Sequence, residues 1–166
     1  IAIGAIAHAD DDAAVQALMR HVRSTPDANA KNFGIIALGE AGGAPARDFL
    51  LKLIDDSNQS VRSFAALALG VYGWKYDDAN ESAIADRMLK VFNSEKNPEL
   101  CGAFAIGLGL MKYQPAAMPI LARLQQTTAA SARAPFCTSL GLLGSAESVK
   151  TIQDIVADKG DVDLRR

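Results

Sequence analysis

Apolar positions along this chain fall into two alternating patterns. Segments of one kind are rich in Ala, Leu and Gly on nearly every side and cover about residues 28–41, 59–72, 97–111 and 129–143. Segments of the other kind carry a single apolar stripe and cover about 12–23, 44–55, 80–93, 115–127 and 146–158. The first pattern is that of helices sandwiched between neighbours, and the second that of helices with one face in solvent. The stripes run at helical spacing, as in Val15, Leu18, Met19 and Val22, in Met88, Leu89 and Phe92, and in Val149, Ile152, Ile155 and Val156. Punctuation falls between the segments at Gly42-Gly43, Gly73, Pro98, Pro115 and Gly144-Ser145, where a positive φ or a missing N–H is tolerated. Strand signals are almost absent, so an all-α chain of helical hairpins is predicted.

The hairpins repeat. Leu38-Gly39-Glu40-Ala41-Gly42 recurs as Leu69-Gly70-Val71-Tyr72-Gly73, Leu108-Gly109-Leu110-Met111-Lys112 and Leu140-Gly141-Leu142-Leu143-Gly144, with Ile3-Gly4 as a truncated copy. Two positions before each full anchor glycine stands a small residue, Ala37, Ala68, Gly107 or Ser139, which marks a close approach of helices. Eight positions before it stands Lys31, Arg62, Cys101 or Arg133, preceded by Ala30, Val61, Leu100 or Ala132. Spacings of 35, 31, 39 and 32 residues between anchors suit helical-hairpin solenoids. The register divides 1–166 into a partial repeat at 1–24, repeats at 27–56, 58–94, 97–127 and 129–159, and the start of another at 161–166, where Leu164-Arg165 restarts the basic column. The absence of an initial Met and the unfinished last repeat lead us to expect a piece of a longer protein.

A first helix ending in Ala-Leu-Gly-x-x-Gly, an apolar-Arg pair at its start and a Leu-x-x-Leu-Leu-type stripe on the second helix resemble HEAT repeats. The pattern is most similar to the short HEAT-like repeats of phycobilisome lyases. The resemblance implies a right-handed α–α superhelix, or solenoid, of about four and a half HEAT-like hairpins, with first helices on the convex side and second helices on the concave side. It also implies a ladder of Asp with the next repeat's Arg, for which Asp56 and Arg62 are the best pair. Cys101 in place of Arg and Lys112 in place of Gly should interrupt the ladder in the third repeat.

Bulk chemistry narrows the function. With 17 Lys and Arg against 19 Asp and Glu, the net charge of −2 offers no long-range attraction to a phosphate backbone, and no nucleic-acid partner is expected. No apolar run reaches the length of about 18 residues that a membrane span needs. Cys101 and Cys137 lie among apolar residues without a second pair nearby, which suggests buried thiols rather than a disulfide framework or metal site.

Catalytic constellations are mostly missing. His8-Ala9-Asp10-Asp11-Asp12 reads better as a loop that caps the next helix than as a cation site, because consecutive residues seldom converge on one ion. His21 has no nucleophile signature beside it and reads as a surface histidine. The His-Glu pairs of metal-binding HEAT hydroxylases do not occur in the chain. Gly39-x-x-Gly42 and its copies end helices and are not phosphate loops. No catalytic residue, metal or cofactor is therefore expected.

Two features suggest partner binding. A basic column on the second helices comprises Arg20 or His21, Lys52, Lys90 and Arg123, broken by Asp154 in the last copy, and suits an acidic peptide. The single tryptophan and all three tyrosines form the other feature. Tyr72, Trp74 and Tyr76 are expected in a long loop after a first helix, with Tyr113 in the equivalent loop of the next repeat. Such residues bring large contact area at little entropy cost. The leading reading is a non-catalytic scaffold for a protein or peptide. The resemblance adds a bilin lyase or chaperone as an alternative and, against the charge, a nucleic-acid module like the HEAT-like DNA glycosylases. Apolar residues near the ends, Ile1, Ile3, Ile6, Val162 and Leu164, predict end-to-end association or fraying.

Overall fold

The computed structural model describes residues 11–76, 81–128 and 130–157. The truncated copy at Ile3-Gly4, His8, Asp10, Asp77-Asp78-Ala79-Asn80 and the restart at Leu164-Arg165 lie outside the described residues. The chain divides into two compact units, Ile1–Ile84 and Ala85–Arg166. Among the described residues every regular element is helical.

The first unit holds α1 (Asp12–Ser24), α2 (Ala28–Ala41), α3 (Gly43–Leu53) and α4 (Gln59–Lys75). Here α2 packs on α1, α3 and α4, and α3 packs on α4, so α2 meets both of its neighbours in sequence and the first helix of the next repeat. In the second unit, which begins inside α5 (Glu81–Ser94), α6 (Pro98–Leu110) precedes a 3-10 turn, Gln114–Ala116, that leads into α7 (Ala117–Gln126). Then α8 (Ala130–Leu143) is followed by a second 3-10 turn, Ala146–Ser148, and α9 (Val149–Ala157). There α8 packs on both α6 and α7. Such stacking of hairpin on hairpin is that of an all-α solenoid.

A polar column starts the first helices. Asp27, Asn58 and Asn97 stand twelve positions before anchor glycines, and each accepts hydrogen bonds from backbone N–H groups of the turn it opens. These side chains satisfy donors that a helix start leaves without partners. The helix ends use the position three after the anchor. Gly42 and Gly144 take positive φ there, 78° and 66°, and Lys112 takes the same left-handed conformation at φ 52°.

At Gly73 the expectation of a stop was wrong: α4 continues to Lys75, so Tyr72, Gly73 and Trp74 are helical. Tyr72 is buried, its ring centroid lies 5.4 Å from that of Tyr76, and the Tyr76 hydroxyl is tied to the preceding repeat. Those contacts favour the extra turn over a left-handed stop.

The anchor glycines lock repeat to repeat. A Cβ added at Gly39 would lie 2.3 Å from the carbonyl oxygen of Ala68, and one added at Gly109 would lie 2.8 Å from Ser139 Oγ. Each anchor thus fits against the small residue two positions before the following anchor. Ser139 also donates through Oγ to the Ala105 carbonyl at 2.5 Å, so its hydroxyl is satisfied inside the contact. Ile35, Leu38, Leu50, Ile54 and Leu69 fill the first unit. In the second, Phe92 and Phe136 meet edge to face with centroids 6.1 Å apart, beside buried Met88, Phe104 and Leu108.

Candidate partner-binding surfaces

The aromatic residues have different roles according to what surrounds them. Tyr76, the C-cap of α4, lays its ring over Gly42 and donates its hydroxyl to the Glu40 carbonyl at 2.6 Å and to that of Ala41 at 2.9 Å. Lys75 Nζ donates to the same Glu40 carbonyl at 2.6 Å and lies 5.3 Å from the Tyr76 ring centroid. These bonds satisfy carbonyls at the C-terminus of α2, and Gly42 leaves room for the ring where a Cβ would collide with it. Tyr72 is buried behind Tyr76. Trp74, on the same turn, is 68% exposed. An exposed indole therefore stands on a turn fastened to the neighbouring repeat.

Tyr113 occupies the register position of Trp74, four after the anchor, and as expected it follows a first helix in a short connection. It lies in the second unit, where its hydroxyl donates to Asp86 Oδ1. That hydrogen bond, with a smaller effect of burial and of the Asp86 charge, raises the phenol above its ordinary value.

The basic column separates similarly. Arg20, Lys52 and Lys90 are exposed on α1, α3 and α5, and His21 is exposed beside Arg20. Arg123 on α7 is half-buried and engaged: its guanidinium donates to the carbonyls of Glu95 at 2.7 Å, Phe92 at 3.1 Å and Asn93 at 3.2 Å, and to Cys101 Sγ at 2.9 Å. Its Cζ lies 5.0 Å from the Phe92 ring centroid.

Arg123 also explains the break in the arginine column. Arg62 Nε donates to the Ile54 carbonyl at 3.0 Å, sixteen positions before the next anchor, and Asn93 holds the corresponding place before Gly109. Where Cys101 replaces the arginine, Arg123 brings a guanidinium to that carbonyl from another helix. Burial pushes the Cys101 thiol up, an effect that the Arg123 charge partly opposes. Asp56, the carboxylate expected to pair with Arg62, accepts from the Asn58 backbone N–H at 2.8 Å.

Two grooves occupy equivalent register positions, one in each unit. The first, 240 Å³, is lined by Val22, Lys31, Phe49 and Leu53 among others, and the second, 420 Å³, by Leu124, Arg133, Thr151 and Ile155. Each opens between successive second helices, with a basic residue of the intervening first helix, Lys31 or Arg133, in its wall. Their positions combine residues far apart in sequence, so no local motif announces them. Among the described residues no group of three His, Cys, Asp or Glu is placed to hold a metal ion, and no helix is long and apolar enough to cross a membrane.

No curated protein matches the chain. The family model for HEAT repeats matches residues 1–70, the stretch holding the first anchor-to-small-residue lock and the Arg62 contact, and this match supports HEAT repeats over that stretch.

Proposed function

We propose that the chain is a non-catalytic scaffold that binds a protein partner through the surface around Trp74. The carrying observation is a large exposed indole on a turn that Tyr76 and Lys75 hold in place, since an aromatic anchor fixed before binding loses little entropy on complex formation. HEAT repeats commonly serve as interaction scaffolds, and the exposed Arg20, Lys52 and Lys90 supply cations for acidic residues of a partner. Net negative charge argues against nucleic acid as the main ligand.

The test is capture from native extract with the wild-type chain beside Trp74→Ala. Tyr72 and Tyr76 are left intact because they hold the helix end. A protein retained by the wild type and lost by the variant, with unchanged helical circular dichroism, supports this reading; equal retention refutes the Trp74 surface. Since Trp74 is the single tryptophan, a blue shift of its emission on adding the purified partner reports burial directly. A change in the absorption spectrum of an added bilin would instead favour the lyase or chaperone alternative.

A further inference from the structure

The groove of the first unit combines an apolar floor with two cations. Val22 from α1, Phe49 from α3 and Val61 from α4 are buried and line it, beside the half-buried Leu53. Arg23 from α1 and Lys31 from α2 stand in its wall. The Arg23 Cζ lies over the Phe49 ring, 4.9 Å from its centroid, a stacked contact that positions the guanidinium and leaves its N–H edge able to donate. Among the described residues neither cation is paired with a carboxylate. Asp56, the carboxylate in the wall, is turned to the chain's own backbone and accepts from the Asn58 N–H at 2.8 Å. The groove of the second unit is built differently: ten positions after its anchor stands Thr151, where the first has Phe49.

We propose that the Phe49 groove docks an acidic peptide segment, with one large apolar side chain entering between α1 and α3 and a neighbouring Asp or Glu carboxylate meeting Arg23 and Lys31. Charge complementarity defines the occupant, since an apolar floor beside two unneutralised cations matches an apolar side chain next to an anion. Size points the same way. At 240 Å³ the groove is smaller than the roughly 300–1,000 Å³ of small-molecule pockets, and it suits a single side chain of a longer segment. Val61 and Trp74 stand thirteen residues apart on α4, about 20 Å along its axis, so this is a second site and does not depend on the reading placed on Trp74.

The experiment is selection of short random peptides, displayed on phage, against the intact 166-residue chain. Enriched peptides are then titrated by fluorescence polarisation against wild type, Arg23→Glu/Lys31→Glu and Trp74→Ala. The expected peptides share an apolar residue beside Asp or Glu, bind the double variant about tenfold or more weakly, and loosen as salt is raised. No enrichment, an enriched set without acidic residues, or equal affinity for the double variant would overturn the proposal. Arg23 is exposed and Lys31 half-buried, so the double variant should keep its helical circular dichroism. Selection repeated on that variant should favour Lys or Arg beside the apolar residue, a switch that loss of folding does not produce. Trp74→Ala should bind the peptides like the wild type. Binding lost in Trp74→Ala but kept in the double variant would place the peptides at Trp74, overturning this inference and leaving the scaffold reading in force.

Discussion

At Tyr76 one hydroxyl is shared between the Glu40 and Ala41 carbonyls at the end of α2, the first of which also accepts from Lys75. Tyr76→Phe keeps the ring over Gly42 and removes only those bonds, so unfolding in urea should show a loss of about 1–2 kcal/mol, with little change in Trp74 emission before the transition. Arg123 is a similar case, with several acceptors converging on one guanidinium. Arg123→Ala should cost about 1–3 kcal/mol, since a charged donor to several half-buried carbonyls is lost together with its contact to the Phe92 ring. Adding Cys101→Arg to that variant restores a guanidinium from the position Arg62 uses in the previous repeat and should recover part of the loss in thermal melts. A double variant no more stable than Arg123→Ala would show that the two arginine positions are not equivalent.

Helix boundaries follow recurring columns, and the exceptions have physical causes. A residue other than glycine in the left-handed region costs about 1–2 kcal/mol, so Lys112→Gly should stabilise the chain by roughly 1 kcal/mol after the entropy cost of glycine in the unfolded state. The melting temperature checks this directly. In the capping column, Asn97 accepts from the backbone N–H groups of Glu99 and Leu100, so Asn97→Ala should cost about 1 kcal/mol, read as a lower urea midpoint with an unchanged slope. The predicted helices at 28–41 and 59–72 show how far such reading goes. The first matches α2 at both ends, while the second stops three residues short of the end of α4, because the contacts that extend it lie in the preceding repeat.

For the whole molecule, stability in a repeat array is approximately a sum over neighbouring contacts, so one residue type in one register position need not have one energetic value. Gly39→Ala should destabilise by about 2 kcal/mol or more, because the new methyl meets the Ala68 backbone. Gly141→Ala should instead stabilise by up to about 1 kcal/mol, since the methyl enters open space and alanine favours the helix. Opposite signs in matched denaturation curves are the expected result, and equal costs would mean that the two anchors have the same surroundings. The all-α hairpins and the close approaches at Gly39 and Gly109 were legible in the sequence, because they arise from local periodicity and from self-similarity between copies. Partner-facing chemistry was much less legible. Trp74, Tyr76 and Tyr113 read alike as aromatic surface residues, yet one is exposed, one caps a neighbouring helix and one bonds Asp86. Arg123 likewise reads as part of a basic column but holds the end of α5. Composition and spacing set which residues are available and where helices form; only the tertiary structure decided which groups are satisfied inside the protein and which face outward, because burial and hydrogen-bond partners come from residues distant in the chain.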